Sequence, residues 1–217
     1  MEPRERLLEA GIRLLEEVGP EALQARKLAA EIGASTMAVY THFGGMRGLL
    51  DAITQEAFVR FGQRLAEVPR TDDPVADLCA LGLAYREYAL ANPQRYRLMF
   101  GATAPGTGAR IEHNLTVDRT PTGIPELDAT FTPLVEVVRR AMTAGRLTDG
   151  DDVQVAGQIW SATHGYVLLE IAGVFGSDDS GVFSILAPLT INLLVGLGDQ
   201  PEAVQGSMMA AAEAYHP

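Results

Sequence analysis

Apolar residues return along most of this chain at helical spacing. Leu7, Ala10, Gly11, Leu14, Leu15 and Val18 follow an i, i+3, i+4, i+7 rhythm that paints one face of a helix, and Gly19-Pro20 stops it. A shorter stripe of Leu23, Leu28, Ala29 and Ile32 follows, closed by Gly33 as a helix C-terminal glycine. Ser35 is a good N-cap type and predicts a second short helix through His42. Gly44-Gly45 then separates it from a long helix carrying Leu50, Ile53, Ala57, Phe58, Phe61 and Leu65. Asp73-Pro74 reads as a helix start, a capping carboxylate followed by proline at the first helical position. That helix is predicted to reach about Asn92, with a short helix after it over residues 95–100.

The rhythm fades over residues 102–125, which are rich in Gly, Thr and Pro and predict a loop with a helical fragment near 109–115. It resumes over 131–144, continues through 153–175 and 182–197, and ends in a terminal helix over 202–215. The two long apolar stretches are interrupted by Gln154, Gln158, His164 and Glu170 in one, and by Ser184, Pro188, Thr190 and Asn192 in the other. Neither is a run of about 20 largely apolar residues, so buried or interface helices are expected rather than membrane spans. No sustained period-2 pattern supports a strand, and the fold class predicted is all-α.

Composition narrows the function classes. The chain is 47% hydrophobic and 21% charged over 217 residues, a globular balance. A single cysteine, Cys79, excludes an internal disulfide framework or a cysteine-based zinc site. No charged start followed by an apolar run marks a secretory signal, so a reducing cytoplasm is the expected compartment. The formal net charge of −11 argues against nucleic acid if taken alone. It is unevenly spread: residues 1–50 hold six basic and seven acidic side chains, residues 51–217 eleven and twenty-one. A nearly neutral N-terminal segment is left free for a purpose of its own.

That segment is the informative one. Residues 23–43 read LQARKLAAEIGASTMAVYTHF, two short helices joined by Gly33-Ala34-Ser35. Glycine permits a tight reversal and small residues permit close approach, which a helix-turn-helix requires. Leu28, Ala29 and Ile32 would face Ala38, Val39 and Phe43, leaving Thr36, Met37, Tyr40, Thr41 and His42 outward towards a DNA major groove. Spacing alone leaves a plain helical hairpin of a bundle equally open.

The residues themselves go further. A leading amphipathic helix, then Gly33-Ala34-Ser35-Thr36-Met37-Ala38-Val39-Tyr40-Thr41-His42-Phe43, resembles the DNA-binding segment of the TetR family of bacterial transcriptional regulators over residues 4–53. The resemblance implies an N-terminal three-helix DNA-binding domain with a helix-turn-helix, residues 1–45. It also implies a C-terminal helical ligand-binding and dimerisation domain, residues 46–217. Family members commonly carry a polar residue and then a phosphate-binding lysine after His-Phe. This chain has Gly44-Gly45-Met46-Arg47 instead, so Arg47 would serve one position later.

Carried over by position, Arg26 and Lys27 would reach phosphate, and Ser35, Thr36 and Met37 open the recognition helix. A threonine hydroxyl bonds several base edges and a methionine packs on a thymine methyl. Tyr40 and His42 are expected on phosphates, and Thr41 on either. Tyr85-Arg86-Glu87-Tyr88-Ala89, Asn92-Pro93, Tyr96-Arg97-Leu98-Met99-Phe100 and Trp160-Ser161-Ala162-Thr163-His164-Gly165 resemble the ligand domains of a Trp-His-Gly subgroup of that family. Tyr96, Phe100, Trp160, His164 and Glu170 are accordingly the candidate ligand-binding residues. They are expected to hold an apolar or cationic small molecule.

The implied protein is a ligand-responsive regulator, a repressor released from double-stranded operator DNA by a small-molecule effector. It would act as a homodimer, with no cofactor, no metal and no membrane. The alternative is an all-helical small-molecule-binding protein or enzyme whose N-terminal hairpin is structural. Four scattered histidines and one cysteine offer no nucleophile–base pair, metal cluster or phosphate loop for the enzyme reading.

Overall fold

The computed structural model describes residues 2–20, 23–101, 116, 119–176 and 178–215, and among these it contains helices and no strand. The helical fragment expected near 109–115 lies outside the described residues. The chain divides into two compact units, residues 1–60 with 91–111, and residues 61–90 with 112–217.

The first unit holds α1 (Pro3–Val18), α2 (Ala25–Glu31), α3 (Thr36–Phe43), α4 (Met46–Ala66) as far as Arg60, and α6 (Pro93–Met99). Its core takes Leu7, Leu15, Leu28, Val39 and Ile53 from the apolar stripes, all fully buried, while Leu49 rather than Leu50 is the fully buried leucine at the start of α4 and Val18 ends up exposed. Leu98, on α6, joins the same cluster from far along the chain. Burying each such side chain contributes about 1.5–3 kcal/mol.

Gly33 turns α2 into α3. Its φ of +66° lets the Gly33 amide donate to the Ala30 carbonyl at 3.2 Å and the Ala34 amide to that of Ala29 at 2.8 Å, a Schellman closure. From α1, Arg6 donates to the Ile32 carbonyl at 2.9 Å and Arg13 pairs with Glu31 at 2.9 Å. Arg60 closes onto Glu9 and Glu56. The Glu16 carboxylate accepts the Gln94 and Arg95 amides at 3.2 and 3.0 Å and the Arg95 side chain at 2.9 Å, so α1 caps the start of α6.

The second unit holds the rest of α4, α5 (Pro74–Ala91) as far as Leu90, α7 (Pro125–Thr143), α8 (Asp152–Ile171), α9 (Ala187–Gly196) and α10 (Pro201–Tyr215). α5 and α7 start on one device with the same spacing, Thr-x-x-Pro-x-x-Asp. The Thr71 amide and hydroxyl donate to Asp77, and those of Thr122 to Asp128, with Pro74 and Pro125 at the first helical positions. This clasp is why α7 begins at Pro125, six residues ahead of the apolar rhythm.

Residues Val182–Leu186 form a π-helical turn into α9. Pro188 has no amide hydrogen to continue an i−4 ladder, and the Ala187 amide reaches back to Val182. Arg146 is bidentate on Asp199 at 2.8 Å and also reaches Asp73 and Ser207, tying the start of α5 to α10. Burial pushes the Asp73 carboxyl up. The Ser207 hydroxyl, the Ala76 and Val75 amides and Arg146 outweigh that and hold it below its ordinary value.

The left-handed turn at Gly33 gives a direct test. Gly33→Ala places a Cβ in that conformation and is expected to cost about 1 kcal/mol, with Gly33→Asn costing less. Thermal melts should show the midpoint falling by about 2–4 °C for Gly33→Ala.

Candidate nucleic-acid interface

α3 is an eight-residue helix anchored by one side chain. Val39 is fully buried, with Ala38 and Phe43 partly buried beside it against the α1–α2–α4 core. The remaining face stays outside: Ser35, Thr36, Met37, Tyr40, Thr41 and His42 are all exposed. Met37 at 65% and Tyr40 at 56% exposure are large side chains that folding has left in water. Ser35 occupies the N-cap without a side-chain capping bond. The Thr41 hydroxyl donates to the Met37 carbonyl at 2.9 Å, so its proton is held within the helix and its oxygen is left to accept.

The flanking cations are placed against local preference. Arg26 and Lys27 stand in the first turn of α2 and Arg47 in the first turn of α4, all exposed, and neither turn carries an acid. A helix start favours negative charge, so cations there gain nothing from their own helix. Arg13, Arg60 and Arg95 of the same unit are paired with carboxylates. Arg26, Lys27 and Arg47 have no hydrogen-bond or ion-pair partner among the described residues. Exposed helix starts with unneutralised cations suit phosphate oxygens.

The residues expected around an effector are distributed between the units. Tyr96 and Phe100 belong to the first unit, where Tyr96 is fully buried and Phe100 packs edge-on against both Tyr96 (5.1 Å) and Phe58 (5.8 Å). Trp160 and His164 lie one turn apart on α8 in the second unit. They are joined by Tyr85 of α5. The Trp160 Nε1–H donates to the Tyr85 oxygen at 3.1 Å, and that oxygen lies 2.9 Å from His164 Nδ1. An indole N–H only donates, so the Tyr85 oxygen accepts from Trp160, and it shares a second hydrogen bond with His164 Nδ1 whose direction follows the imidazole tautomer. Burial lowers the His164 pKa and favours the neutral ring. Phe131 packs on Trp160 at 5.8 Å and completes the cluster. Leu81, Tyr85 and Tyr88 at helical spacing were the signal for the Tyr85 side of it.

Glu170 has another partner. Arg86 grips it with two nitrogens at 2.8 and 2.9 Å, Tyr166 donates to it at 3.3 Å, and Arg86 also reaches Asp179 at 2.8 Å. The Glu170 hydrogen bond, opposed by burial, raises the Arg86 pKa. The pair is a neutralised unit.

Known proteins match at both levels. A sequence model of the bacterial regulatory proteins of the tetR family matches residues 7–53, and one of the tetracyclin repressor-like C-terminal domain matches residues 78–185. The tetracycline repressor protein class A from transposon 1721 of Escherichia coli is 29% identical over 184 residues, 85% of this chain and 74% of the relative. The HTH-type transcriptional regulator Rv1816 of Mycobacterium tuberculosis is 26% identical over 201 residues, 82% of this chain and 85% of the relative. Among solved structures, a protein of unknown function from Rhodococcus sp. RHA1 superposes with a TM-score of 0.73 at 27% identity, covering 92% of this chain and 97% of its own. With both halves matched and the exposed α3 face between unneutralised cations, this chain belongs to the TetR family of bacterial transcriptional regulators.

Proposed function

We propose that the protein is a cytoplasmic, ligand-responsive repressor that binds operator DNA as a homodimer. Residues 1–45 read DNA in this scheme, with Arg47 just beyond them, and the rest of 46–217 holds the effector and the dimer contact. The observation that carries the reading is the outward α3 face, Ser35 to His42, flanked by Arg26, Lys27 and Arg47 without internal partners. Thr36 and Met37 read base edges, Tyr40, His42 and the three cations hold phosphates, and Thr41 accepts from the duplex. A relative named as a repressor supports the direction of control.

Dimerisation draws support from apolar residues left on the surface of the second unit. Leu169 lies on α8 and Val174 just after it, and Phe183, Ile185 and Leu189 lie on the π turn and α9; Phe183 is 76% exposed. Several large apolar side chains left exposed on these elements suit an interface, and a two-fold contact would place two α3 helices on half-sites about one DNA turn apart.

The effector reading centres on Trp160 and His164 with Tyr85 and Phe131, in a ligand domain of the Trp-His-Gly subgroup type. With Glu170 neutralised by Arg86, no bare carboxylate remains in the candidate set to attract a cation, so the effector is an uncharged, largely apolar molecule. It releases DNA by binding the two conformations of the dimer unequally.

Three outcomes test this. In gel-shift titrations with a duplex from beside its own gene, Tyr40→Ala should weaken binding about tenfold or more. Thr36→Ala should instead lower the preference for that duplex over mixed sequence. Wild-type affinity and selectivity in the double variant would sink the assignment.

Sedimentation at micromolar concentration should find dimers for the wild type and monomers for Phe183→Arg. A monomeric wild type would contradict the dimer.

Trp160 is the sole tryptophan. A panel of uncharged aromatic and aliphatic compounds should therefore include one that quenches its fluorescence saturably and frees DNA. His164→Ala should blunt that response and leave DNA binding intact. His164 has a folded pKa below the ordinary 6.5, so its neutral ring dominates above that value. The response should persist at neutral pH and fade on acidification, as protonation puts a charge on a ring that burial holds neutral. If only multivalent anions act, the neutral pocket is wrong.

A further inference from the structure

α1 opens Glu2-Pro3-Arg4-Glu5, and its first turn places a cation where a helix prefers acids. Both neighbouring carboxylates are committed elsewhere. Glu2 and Glu5 form a capping box, in which the Glu2 side chain receives the Glu5 amide and the Glu2 amide donates to Glu5 Oε2 at 3.0 Å. Arg4 is exposed, and no carboxylate pairs with it among the described residues. Its guanidinium lies 5.1 Å from the centroid of the Phe43 ring. Phe43 is the last residue of α3, next to His42, and is fixed by its packing on the headpiece core.

An arginine held over an aromatic ring by a cation–π contact uses no N–H in a hydrogen bond there, so its planar fork still fits phosphate oxygens. Arg4 is therefore a cation placed at the C-terminal end of α3, with no carboxylate paired to it and its guanidinium held over Phe43. A plain packing role would be served as well by a side chain without charge.

We propose that Arg4 is a DNA-phosphate contact at the C-terminal flank of the recognition helix, with Phe43 as its positioning residue. The proposal rests on the reading of α3 as that helix. It extends the phosphate-binding set beyond α2, α3 and the start of α4 to α1.

The test is a salt titration of full-length protein on a fluorescein-labelled duplex from beside its own gene, with affinity read by anisotropy. Arg4→Gln should flatten the slope of log K against log salt by about 0.9 for each Arg4 engaged. Arg4→Lys should keep the slope while weakening binding several-fold. Phe43→Leu, which keeps apolar bulk and removes the ring, should weaken binding, and Arg4→Gln in that background should add less than it does alone. Circular dichroism melts run alongside. A slope unchanged in Arg4→Gln, or strict additivity of the two changes, overturns the proposal. Tyr40→Ala on the same duplex separates the levels: if it weakens binding while Arg4→Gln does nothing, only the Arg4 contact fails. If Tyr40→Ala is also silent, the reading of α3 fails with it.

Discussion

In a chain with 28 carboxylates and 17 lysine and arginine side chains, a cation stays available to a partner only where no acid reaches it. Most guanidinium groups of the structure are reached. Arg13, Arg60 and Arg95 are taken up inside the first unit, and Arg86, Arg140 and Arg146 inside the second, several with two or more acceptors. Among the described residues, Arg4, Arg26, Lys27 and Arg47, which no carboxylate reaches, stand at helix starts around α3. Exposed pairs elsewhere add little stability, but internal pairing removes competing positive surface. The negative bulk then repels DNA everywhere except at the reading head, so the acidic balance that argues against nucleic acid sharpens where it can bind.

The same pairing builds the scaffold. Arg140 of α7 closes on Asp77, the carboxylate that already clasps Thr71, so the end of α7 is tied to the start of α5. Half-buried Arg146 and Asp73 join buried Asp199 and Ser207 in one polar knot. Removing one member leaves buried donors or acceptors without partners, which costs more than the net worth of the bond. Such knots fix helix ends in register, whereas apolar faces tolerate sliding.

The helices, their order and the outward side of α3 were legible because local signals agree with tertiary packing. Gly33, Val39 and Ser35 sit where spacing places them. Less legible were features that depend on partners distant in sequence. Glu170 stands out as a polar residue in an apolar helix, yet Arg86, 84 positions earlier, neutralises it. Tyr85 and Trp160 are 75 positions apart, and the hydrogen bond between them has no sequence period. The start of α7 was hidden because Gly, Thr and Pro read as loop residues, although Thr122, Pro125 and Asp128 form the same clasp as Thr71, Pro74 and Asp77. Reading the spacing of the two threonine–proline–aspartate sets together would have revealed it.

A helix of seven residues, such as α6, is well below the length that holds in water on its own. It forms against α1, with Glu16 receiving amides 78 and 79 positions later and Leu98 filling a place in the core of α1 to α4. The reading head is thus discontinuous in sequence. As the chain leaves the ribosome, the first 66 residues emerge with that place empty, and the head is finished only after α5 and α6 have been made. A nascent chain therefore reaches its mature DNA-reading form late, after the segment that leads into its effector domain already exists.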